Sequence, residues 1–287
     1  MRLGLHALGI GTGARREVID AVAVAAEAAG FRTLWVGEHV VMVDRSASRY
    51  PYAPDGRIAV PADTDWLDPM IALSFAAAAT RTIRLATGVL LVPEHNPVRL
   101  AKQAASLDRL SGGRLALGIG VGWSQEEFAA LGIPFERRGA RTDEYVAAMK
   151  TVWRDDPACF SGEFVKFAGI RVNPKPVRDG HIPIIVGGNS DAALRRAART
   201  GDGWYGFNLP DLAHARERIT RLRSLCETAG RDSSELDIAV ALAYPPRPED
   251  HEELTRLGVD ELVLVAGPPA DPAEAARWVS ELQVRSV

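Results

Sequence analysis

Glu38 and His39 have the residue types and the position expected of catalytic groups. They follow an apolar run at residues 33–37, which predicts a short buried strand. In α/β barrels, the active site lies at the C-terminal ends of the inner strands. A carboxyl group beside an imidazole at that position could hold or move a proton. In the structural alternative, Glu38 would pair with a neighbouring arginine and His39 would only satisfy a local hydrogen bond. The position favours the functional interpretation.

A glycine turn is the second candidate for chemistry. It follows a β-branched run at residues 182–186 and precedes an alanine-rich helical pattern that begins at Asp191, so the sequence predicts strand, turn and helix. Glycines let the backbone approach a ligand, Asn or Ser can cap the helix, and the N–H groups of its first turn can bind an anion such as phosphate. An ordinary strand–helix turn would look the same, so both interpretations stay open on this stretch alone. The candidate residues are Val186, Gly187, Gly188, Asn189 and Ser190.

The composition is that of a globular protein with a large core. Of the 287 residues, 47% are hydrophobic and 25% are charged, and the net charge of −3 gives no electrostatic footprint for nucleic acid. The two cysteines, Cys159 and Cys226, predict neither a disulfide framework nor a zinc site. The sequence shows no apolar run of membrane-spanning length and no cleavable leader. We therefore expect a cytoplasmic protein that acts on a small molecule and binds neither nucleic acid nor membranes.

Strand and helix patterns alternate along the whole chain. Because eight strand patterns are separated by helical ones, the economical architecture is a single parallel (β/α)8 barrel, a TIM barrel, over residues 1–287. The predicted strands are 3–10, 33–37, 83–92, 114–121, 182–186, 203–207, 236–241 and 259–265. The predicted helices are 17–29, 67–80, 98–110, 125–131, 143–154, 212–229, 249–257 and 272–282, besides the one that begins at Asp191.

Two insertions interrupt this alternation. Residues 40–65, after the second strand, have no periodic pattern and contain several prolines, as expected of a lid or binding loop. Residues 155–178, before the fifth strand, predict an inserted hairpin with strands at 160–167 and 170–172. Charged loop residues are usually solvated, but the arginines of the first insertion could meet an anionic ligand. They are Arg45, Arg49 and Arg57.

Glycines mark the ends of two predicted strands. Gly88 interrupts the apolar run 83–92, which indicates a bulge or a close backbone approach to a ligand. The fourth strand ends in GIGVGW at residues 118–123, but Trp123 stands where the third glycine of a dinucleotide-binding motif would fall. A Rossmann fold is therefore rejected.

A series of motifs, in this order and spacing, resembles the luciferase-like flavin-dependent oxidoreductases. More narrowly, it resembles the bacterial branch that uses coenzyme F420, an 8-hydroxy-5-deazaflavin. The resemblance covers nearly the whole chain. The motifs are AEAAGFRTLWVGEH (26–39), LATGVLLVPEHNP (85–97), LSGGRLALGIGVGWSQEEFAALG (110–132) and RRGARTDEY (137–145), followed by NPKPV, PIIVGGNS and GDGW.

The resemblance implies where a cofactor would sit. In the family, the deazaflavin or flavin lies across the barrel mouth with its phosphate on the turn after the fifth strand, which corresponds to residues 186–190. The family also has a non-proline cis peptide bond behind the central ring, and the matching bond is Gly88–Val89. The glycine turn thus becomes an expected phosphate site, with coenzyme F420 as the expected cofactor and FMN as the alternative. A homodimer is also implied.

The chemistry that the resemblance implies is hydride transfer between the deazaflavin and a small organic substrate. A deazaflavin has carbon where a flavin has its reactive nitrogen, so it exchanges hydride and activates oxygen poorly. His39 is expected to give or take the accompanying proton, and Glu38 to orient His39 or share that proton. Trp66 and Trp123 would exclude water and shape the substrate pocket. Because Trp123 stands where the family's sugar-phosphate dehydrogenases have a glutamate, that substrate class is not expected.

Three alternatives lead to other functions. An FMN-dependent luciferase-like monooxygenase would share the fold but use oxygen. A metal-dependent barrel hydrolase would need clustered ligands, such as two histidines two positions apart on a strand, and the six histidines show no such spacing. A non-catalytic flavin-binding protein would bind the cofactor without turnover. We expect no metal site.

Overall fold

Eight parallel strands close into a barrel within residues 1–285, the part of the chain that the computed structural model describes. In chain order the strands are β1 (Arg2–His6), β2 (Thr33–Val36), β3 (Arg84–Thr87), β4 (Leu90–Leu91), β5 (Leu115–Gly120), β6 (Ala158–Ser161), β7 (Lys166–Ile170), β8 (Ile184–Gly187), β9 (Gly203–Leu209), β10 (Asp237–Leu242) and β11 (Glu261–Val265). The barrel runs β1–β2–β3–β5–β8–β9–β10–β11 and closes where β11 pairs with β1. The predicted TIM barrel is confirmed.

Helices between the strands cover the outside of the barrel. They are α1 (Arg16–Ala28), α2 (Pro69–Ala79), α3 (Pro97–Ser111), α4 (Gln125–Ala130), α5 (Arg138–Arg154), α6 (Asp191–Thr200), α7 (Leu212–Thr228), α8 (Pro248–Arg256) and α9 (Pro272–Arg285). Local signals fix the ends of several helices: Asn96 caps α3, Gly112 ends it with a φ of 74°, and Ser124 caps α4. Within residues 1–285, no helix is long and apolar enough to cross a membrane.

The third predicted strand, at residues 83–92, is in fact two short strands. A cis peptide bond between Gly88 and Val89 separates β3 from β4. Both pieces pair with β5, so the chain stays in the sheet on either side of the break. The prediction of one continuous strand is therefore wrong, whereas the cis bond expected at this place is confirmed. β1 is also shorter than predicted and ends at His6.

Both insertions are present, although the predicted strand bounds of the hairpin and the start of α5 are wrong. Residues 40–65 form no regular strand or helix, and β6 and β7 pair antiparallel as a hairpin. The turn of this hairpin lies between Ser161 and Lys166, inside the predicted first strand at 160–167, because Ser161 pairs with Lys166. α5 starts at Arg138 rather than at residue 143. The reason is that Arg141 belongs to the buried face, where its guanidinium donates to the carbonyl of Pro134 at 2.6 Å. The charged segment before residue 143 is therefore partly inside the protein.

The core has two parts. A continuous apolar layer lies between the barrel and its helices, and a smaller cluster fills the barrel, where the rings of Trp35 and Tyr205 stack with centroids 4.6 Å apart. At the N-terminal end of the barrel, buried Glu261 accepts hydrogen bonds from Trp35 Nε1 at 2.8 Å and from the Thr33 hydroxyl at 2.9 Å. Because that end is filled and tied together, space for a ligand lies at the C-terminal mouth.

Candidate active site

A cavity of about 570 Å³ occupies the C-terminal mouth of the barrel. Its size lies within the range of small-molecule sites, roughly 300–1,000 Å³. The ends of β1, β2, β8, β9 and β11 and the break between β3 and β4 form its walls, and residues 40–65, hereafter the lid, cover one side. The cavity brings together most of the predicted site residues, namely Glu38, His39, Trp66, Gly88, Val89, Trp123, Gly187 and Gly188.

His39 is held from one side and faces the cavity with the other. Its Nδ1 lies 2.8 Å from a carboxylate oxygen of Glu127, whose other oxygen accepts from the backbone N–H groups that follow His39, at 2.7 and 3.1 Å. Trp66 and Trp123 contact the ring edge-on, with centroid distances of 4.9 and 5.8 Å. A carboxylate partner keeps a proton on Nδ1, which leaves Nε2 as the atom that can exchange a proton with a bound molecule.

Glu38 does not orient His39, so that prediction is wrong. The carboxylate of Glu38 accepts from the backbone N–H of Leu91 at 2.6 Å and lies 3.0 Å from Nε2 of His95. Successive side chains of an extended chain point in opposite directions, so Glu38 and His39 meet different partners. Burial lowers the pKa of His95, but the hydrogen bond to Glu38 and the negative charge of Glu38 raise it. The pKa of His95 is raised overall. Glu38 is a wall of the cavity and the anchor of the chain after the cis bond.

A third carboxyl group, Glu94, is buried close to these two histidine–carboxylate pairs. It is 8% exposed, and within residues 1–285 neither of its side-chain oxygens has a hydrogen-bond partner. Burial, followed by the charges of Glu127 and Glu38, raises the pKa of Glu94 to about 9. Glu94 is therefore a neutral acid at pH 7, so the region does not hold three negative charges together.

Two positions of the glycine turn after β8 require glycine, for different reasons. Gly188 has a φ of +110°, a conformation that residues with a side chain rarely adopt. A Cβ on Gly187 would lie 2.5 Å from a methyl group of Val89, the residue that follows the cis bond. Both glycines line the cavity, and their lack of side chains leaves space for a ligand beside the turn. The N–H of Gly188 itself donates to the carbonyl of Tyr205 at 3.3 Å, and its carbonyl accepts from Nε1 of Trp204 at 2.8 Å.

The other three residues predicted at this turn support it from behind. Ser190 caps α6 by accepting from a backbone N–H at 3.3 Å. The amide of Asn189 donates to the carbonyl of Phe207 at 2.8 Å and accepts from the N–H of the same residue at 3.3 Å. Val186 is buried in the core. Val186 and Asn189 would therefore not meet a ligand through their side chains, whereas the exposed Ser190 could offer its hydroxyl as well as its backbone N–H.

The lid brings two tyrosines into the cavity that sequence analysis missed. Tyr50 and Tyr52 contact each other edge-on, with ring centroids 5.4 Å apart. The ring of Tyr50 also contacts Trp123 at 5.3 Å, and that of Tyr52 contacts Phe207 at 5.4 Å. Asn208, with a left-handed φ of 54°, donates from its side chain to the carbonyl of Tyr52 at 2.7 Å. These ring contacts and this hydrogen bond fix the tyrosine-bearing part of the lid to the barrel rim, and the backbone N–H groups of Val40 and Val41 bind its first residues to Glu127.

Two neutral groups form the floor of the cavity. Nδ1 of His6 lies 3.4 Å from the hydroxyl of Tyr205. Burial lowers the pKa of His6 to about 4 and raises the pKa of Tyr205 well above its usual value, so neither group is charged at neutral pH. His6 ends β1 as His39 follows β2, and this position was the signal that could have identified it.

Only one of the three lid arginines lines the cavity. Arg57 does so at an exposed part of the rim, whereas Arg49 donates to the carbonyl of Pro54 within the lid at 3.4 Å. Arg45 is exposed and lies outside the lining. An anionic group at the rim would therefore meet Arg57.

The cavity fits a flat, mostly apolar ring system with an anionic side chain. Aromatic and aliphatic side chains surround His39, while the backbone cradle of Gly187 and Gly188 lies at the edge, where α6 begins. A flavin or a deazaflavin with its phosphate has this distribution of apolar and anionic groups. Within residues 1–285, no three His, Cys, Asp or Glu side chains form a group that could hold a metal ion.

Comparison with known proteins identifies relatives that match two thirds or more of the chain. An uncharacterized protein of Mycobacterium tuberculosis is 38% identical over 266 residues, 92% of this chain and 92% of its own length. The FMNH(2)-dependent dimethylsulfone monooxygenase of Pseudomonas putida is 32% identical over 196 residues, 67% of this chain and 52% of its own length.

A solved structure and a family profile also match this chain. The solved structure of an F420-dependent secondary alcohol dehydrogenase in complex with an F420–acetone adduct has a similar fold, with a TM-score of 0.77 and 16% identity over 99% of this chain and 98% of that one. Residues 3–284 match the profile of the luciferase-like monooxygenases. The chain therefore belongs to the luciferase-like monooxygenase family, whose members are oxidoreductases.

Proposed function

We propose that the protein is a coenzyme F420-dependent oxidoreductase that transfers a hydride between the deazaflavin and a small organic substrate. The observation that carries the proposal is His39, whose Nδ1 is fixed by Glu127 while its ring lines a cavity of aromatic and aliphatic side chains. The match of Glu38 and His39 to the deazaflavin branch supports the same cofactor. The similar F420-dependent alcohol dehydrogenase indicates that this fold accommodates it.

In this function, His39 handles the proton. A bound deazaflavin would supply a carbon that accepts or donates hydride. Nε2 of His39 holds the proton that moves with the hydride, and Glu127 stabilises the imidazole ring when it is protonated. The side chain of His39 is only 8% exposed, because Trp66 and Trp123 cover it. Exclusion of water strengthens the interaction between His39 and Glu127.

The residues that would hold the cofactor lie on three sides of the cavity. The backbone of Gly187 and Gly188 and the N-terminus of α6 would receive the phosphate. The segment Gly88–Val89 would support the ring system, and Arg57 would meet an acidic tail at the rim. The substrate would then occupy the space beside His39.

The second candidate is an FMN-dependent monooxygenase. The 32% identity to the FMNH(2)-dependent dimethylsulfone monooxygenase favours it. Both candidates would use the same cavity and the same phosphate seat, so they differ in the cofactor and in the need for oxygen.

Cofactor titration followed by single-turnover reactions, run without oxygen and again with it, tests the proposal. Purified protein is titrated with the deazaflavin, FMN and FMNH2 by fluorescence, and each complex is then mixed with enone, imine and alcohol substrates. Deazaflavin binding with oxygen-independent hydride transfer would support the proposal. Tight binding of FMNH2 with substrate-dependent oxygen consumption would assign the monooxygenase, and cofactor binding without turnover of any substrate would indicate a non-catalytic binding protein.

A further inference from the structure

The lid residue Tyr52 places its hydroxyl group beside the glycine turn. Its Oη lies 3.5 Å from the point where a Cβ on Gly188 would stand. Tyr52 lines the cavity, and in the described part of the chain its hydroxyl has no hydrogen-bond partner. The hydroxyl is therefore available to a ligand group that occupies the turn.

A hydrogen bond and two ring contacts hold Tyr52 in its position. Its backbone carbonyl accepts from the side chain of Asn208 at 2.7 Å, and its ring packs edge-on against Phe207 and Tyr50. Burial raises the pKa of Tyr52 to about 12, so its hydroxyl keeps a proton and can donate it in a hydrogen bond. A donor held in one place, next to an open backbone turn, is suited to an anionic ligand.

We propose that Tyr52 donates a hydrogen bond to the phosphate group of the bound cofactor and thereby couples that phosphate to the position of the lid. This inference rests on the proposed function, because the phosphate is that of the flavin or deazaflavin. The barrel side of the site offers the backbone N–H groups and the Ser190 hydroxyl at the start of α6, whereas Tyr52 reaches the same place from the lid. A phosphate between them would hold the two parts of the chain together.

Tyr50 provides a matched control. It lies in the same lid, is the same residue type and lines the same cavity. Its ring contacts Trp123, which lies beside His39. Phenylalanine at either position keeps the ring contacts and removes only the hydroxyl, so both variants should fold.

The experiment compares ligands that differ in their phosphate. FMN and riboflavin differ only in this group, and the deazaflavin can be compared with its dephosphorylated, tail-free form. For FMN and riboflavin, the Kd of the phosphate-free ligand divided by that of the phosphate-bearing ligand measures what the phosphate contributes. For the deazaflavin pair, the same ratio measures the phosphate and the tail together. Tyr52→Phe should reduce this ratio about tenfold and change the affinity for the phosphate-free ligand by less than about twofold. Tyr50→Phe should leave the ratio unchanged.

Limited proteolysis gives a second readout, because Arg45, Arg49 and Arg57 are potential trypsin sites in the lid. The phosphate-bearing ligand should slow cleavage of the wild-type lid more than the phosphate-free ligand does, and Tyr52→Phe should remove that difference.

An unchanged ratio of dissociation constants in Tyr52→Phe would overturn the inference alone. A wild-type protein that binds neither member of either pair would overturn the proposed function as well.

Discussion

At the scale of single residues, two carboxylate–histidine pairs have different roles in the candidate site. Glu127 holds His39 at 2.8 Å, and this pair faces the cavity. Glu38 lies 3.0 Å from His95 and also binds the N–H of Leu91, so this pair fixes the chain just after the cis bond. Two similar pairs therefore have different tasks: the first can move a proton, and the second positions the wall against which a ring would lie.

The first prediction concerns the pair that faces the cavity. His39→Ala should lower single-turnover hydride transfer by about 10²–10⁴-fold and leave cofactor affinity within a few-fold, since the imidazole moves a proton and does not hold the cofactor. Glu127→Gln keeps an acceptor oxygen but loses the charge that stabilises protonated His39, and should lower the rate at least about tenfold. Glu249→Gln, at an exposed position on α8, is the control. Unchanged turnover in His39→Ala would make His39 a structural residue.

The second prediction concerns stability and pH at Glu94. Because burial and two nearby carboxylates raise the folded-state pKa of Glu94 to about 9, its contribution to stability is fully present below its ordinary pKa of 4.5 and is lost as the pH rises towards 9. One proton more in the folded state corresponds to about 1.4 kcal/mol of unfolding free energy per pH unit. Glu94→Gln should remove this slope, so the variant should gain stability relative to wild type from pH 5 to pH 9.

Urea unfolding at pH 5.5, 7 and 8.5 measures this slope. Wild type and Glu94→Gln should differ most at pH 8.5, whereas the exposed Glu249→Gln variant should follow wild type at every pH. Parallel pH profiles for wild type and Glu94→Gln would show that Glu94 is ionised in the folded protein.

Sequence alone could indicate some site residues and not others, for a reason visible at Glu127. His39 was predicted because a titratable residue follows a strand, and that position can be read from the local pattern. Its partner Glu127 is 88 residues away, and Ser124 to Glu127 reads as the start of a capped helix. The cap is real, but the carboxylate turns to His39 and the lid, which only the closed barrel brings near.

At the scale of elements, the segment at the cis bond packs directly against the glycine turn. Val89 follows the cis bond, and its methyl group occupies the space that a Cβ on Gly187 would need. The two features were predicted separately, from a break in one strand and from a turn after another. Their contact means that the place for the ring and the place for the phosphate are set together.

The third prediction tests the turn as an element. Gly188→Val should weaken cofactor binding at least about tenfold, or about 1.4 kcal/mol, because a branched side chain obstructs the backbone and opposes a φ of +110°. Gly112→Val is the matched control, since Gly112 also has a positive φ, of 74°, but ends α3 where a Cβ would meet open space. Fluorescence titration should separate the two variants. Equal affinity in Gly188→Val and wild type would remove the phosphate from this turn.

Element types were more predictable than element ends. The alternation of strand and helix patterns predicted the barrel, because hydrophobic periodicity follows directly from which face is buried. The early start of α5 was not predictable, since Arg141 reads as a surface charge until its bond to Pro134 is seen. The split at residues 83–92 could not be read from periodicity either, because the residues on both sides are apolar and belong to the same sheet.

At the scale of the whole molecule, the cavity collects residues from both ends of the sequence. Its walls include the ends of β1 and β11, which pair with each other, together with β2, β8, β9 and the lid. A ligand there would contact segments that are otherwise joined mainly through the barrel. The homodimer implied by the resemblance stays a prediction, as does the cytoplasmic location.

The last prediction follows from this distribution of contacts. A cofactor that binds only the folded chain stabilises it by RT ln(1 + [L]/Kd), which is about 2.7 kcal/mol at a hundredfold excess over the Kd. For a domain of 287 residues, that corresponds to a rise in Tm of about 4–5 °C. Because the ligand touches strands at both ends of the chain, the whole barrel should unfold in one transition at the higher temperature.

Differential scanning calorimetry with the deazaflavin and with FMN, each against its phosphate-free form, tests this prediction. The phosphate-bearing ligand should give the larger shift in wild type, and Gly188→Val should lose most of the difference because its turn no longer admits the phosphate. Protection of the lid from trypsin without any rise in Tm would contradict the prediction, since it would place the ligand on the lid alone. A thermogram that splits into two transitions would show instead that the barrel does not unfold as one unit around the cavity.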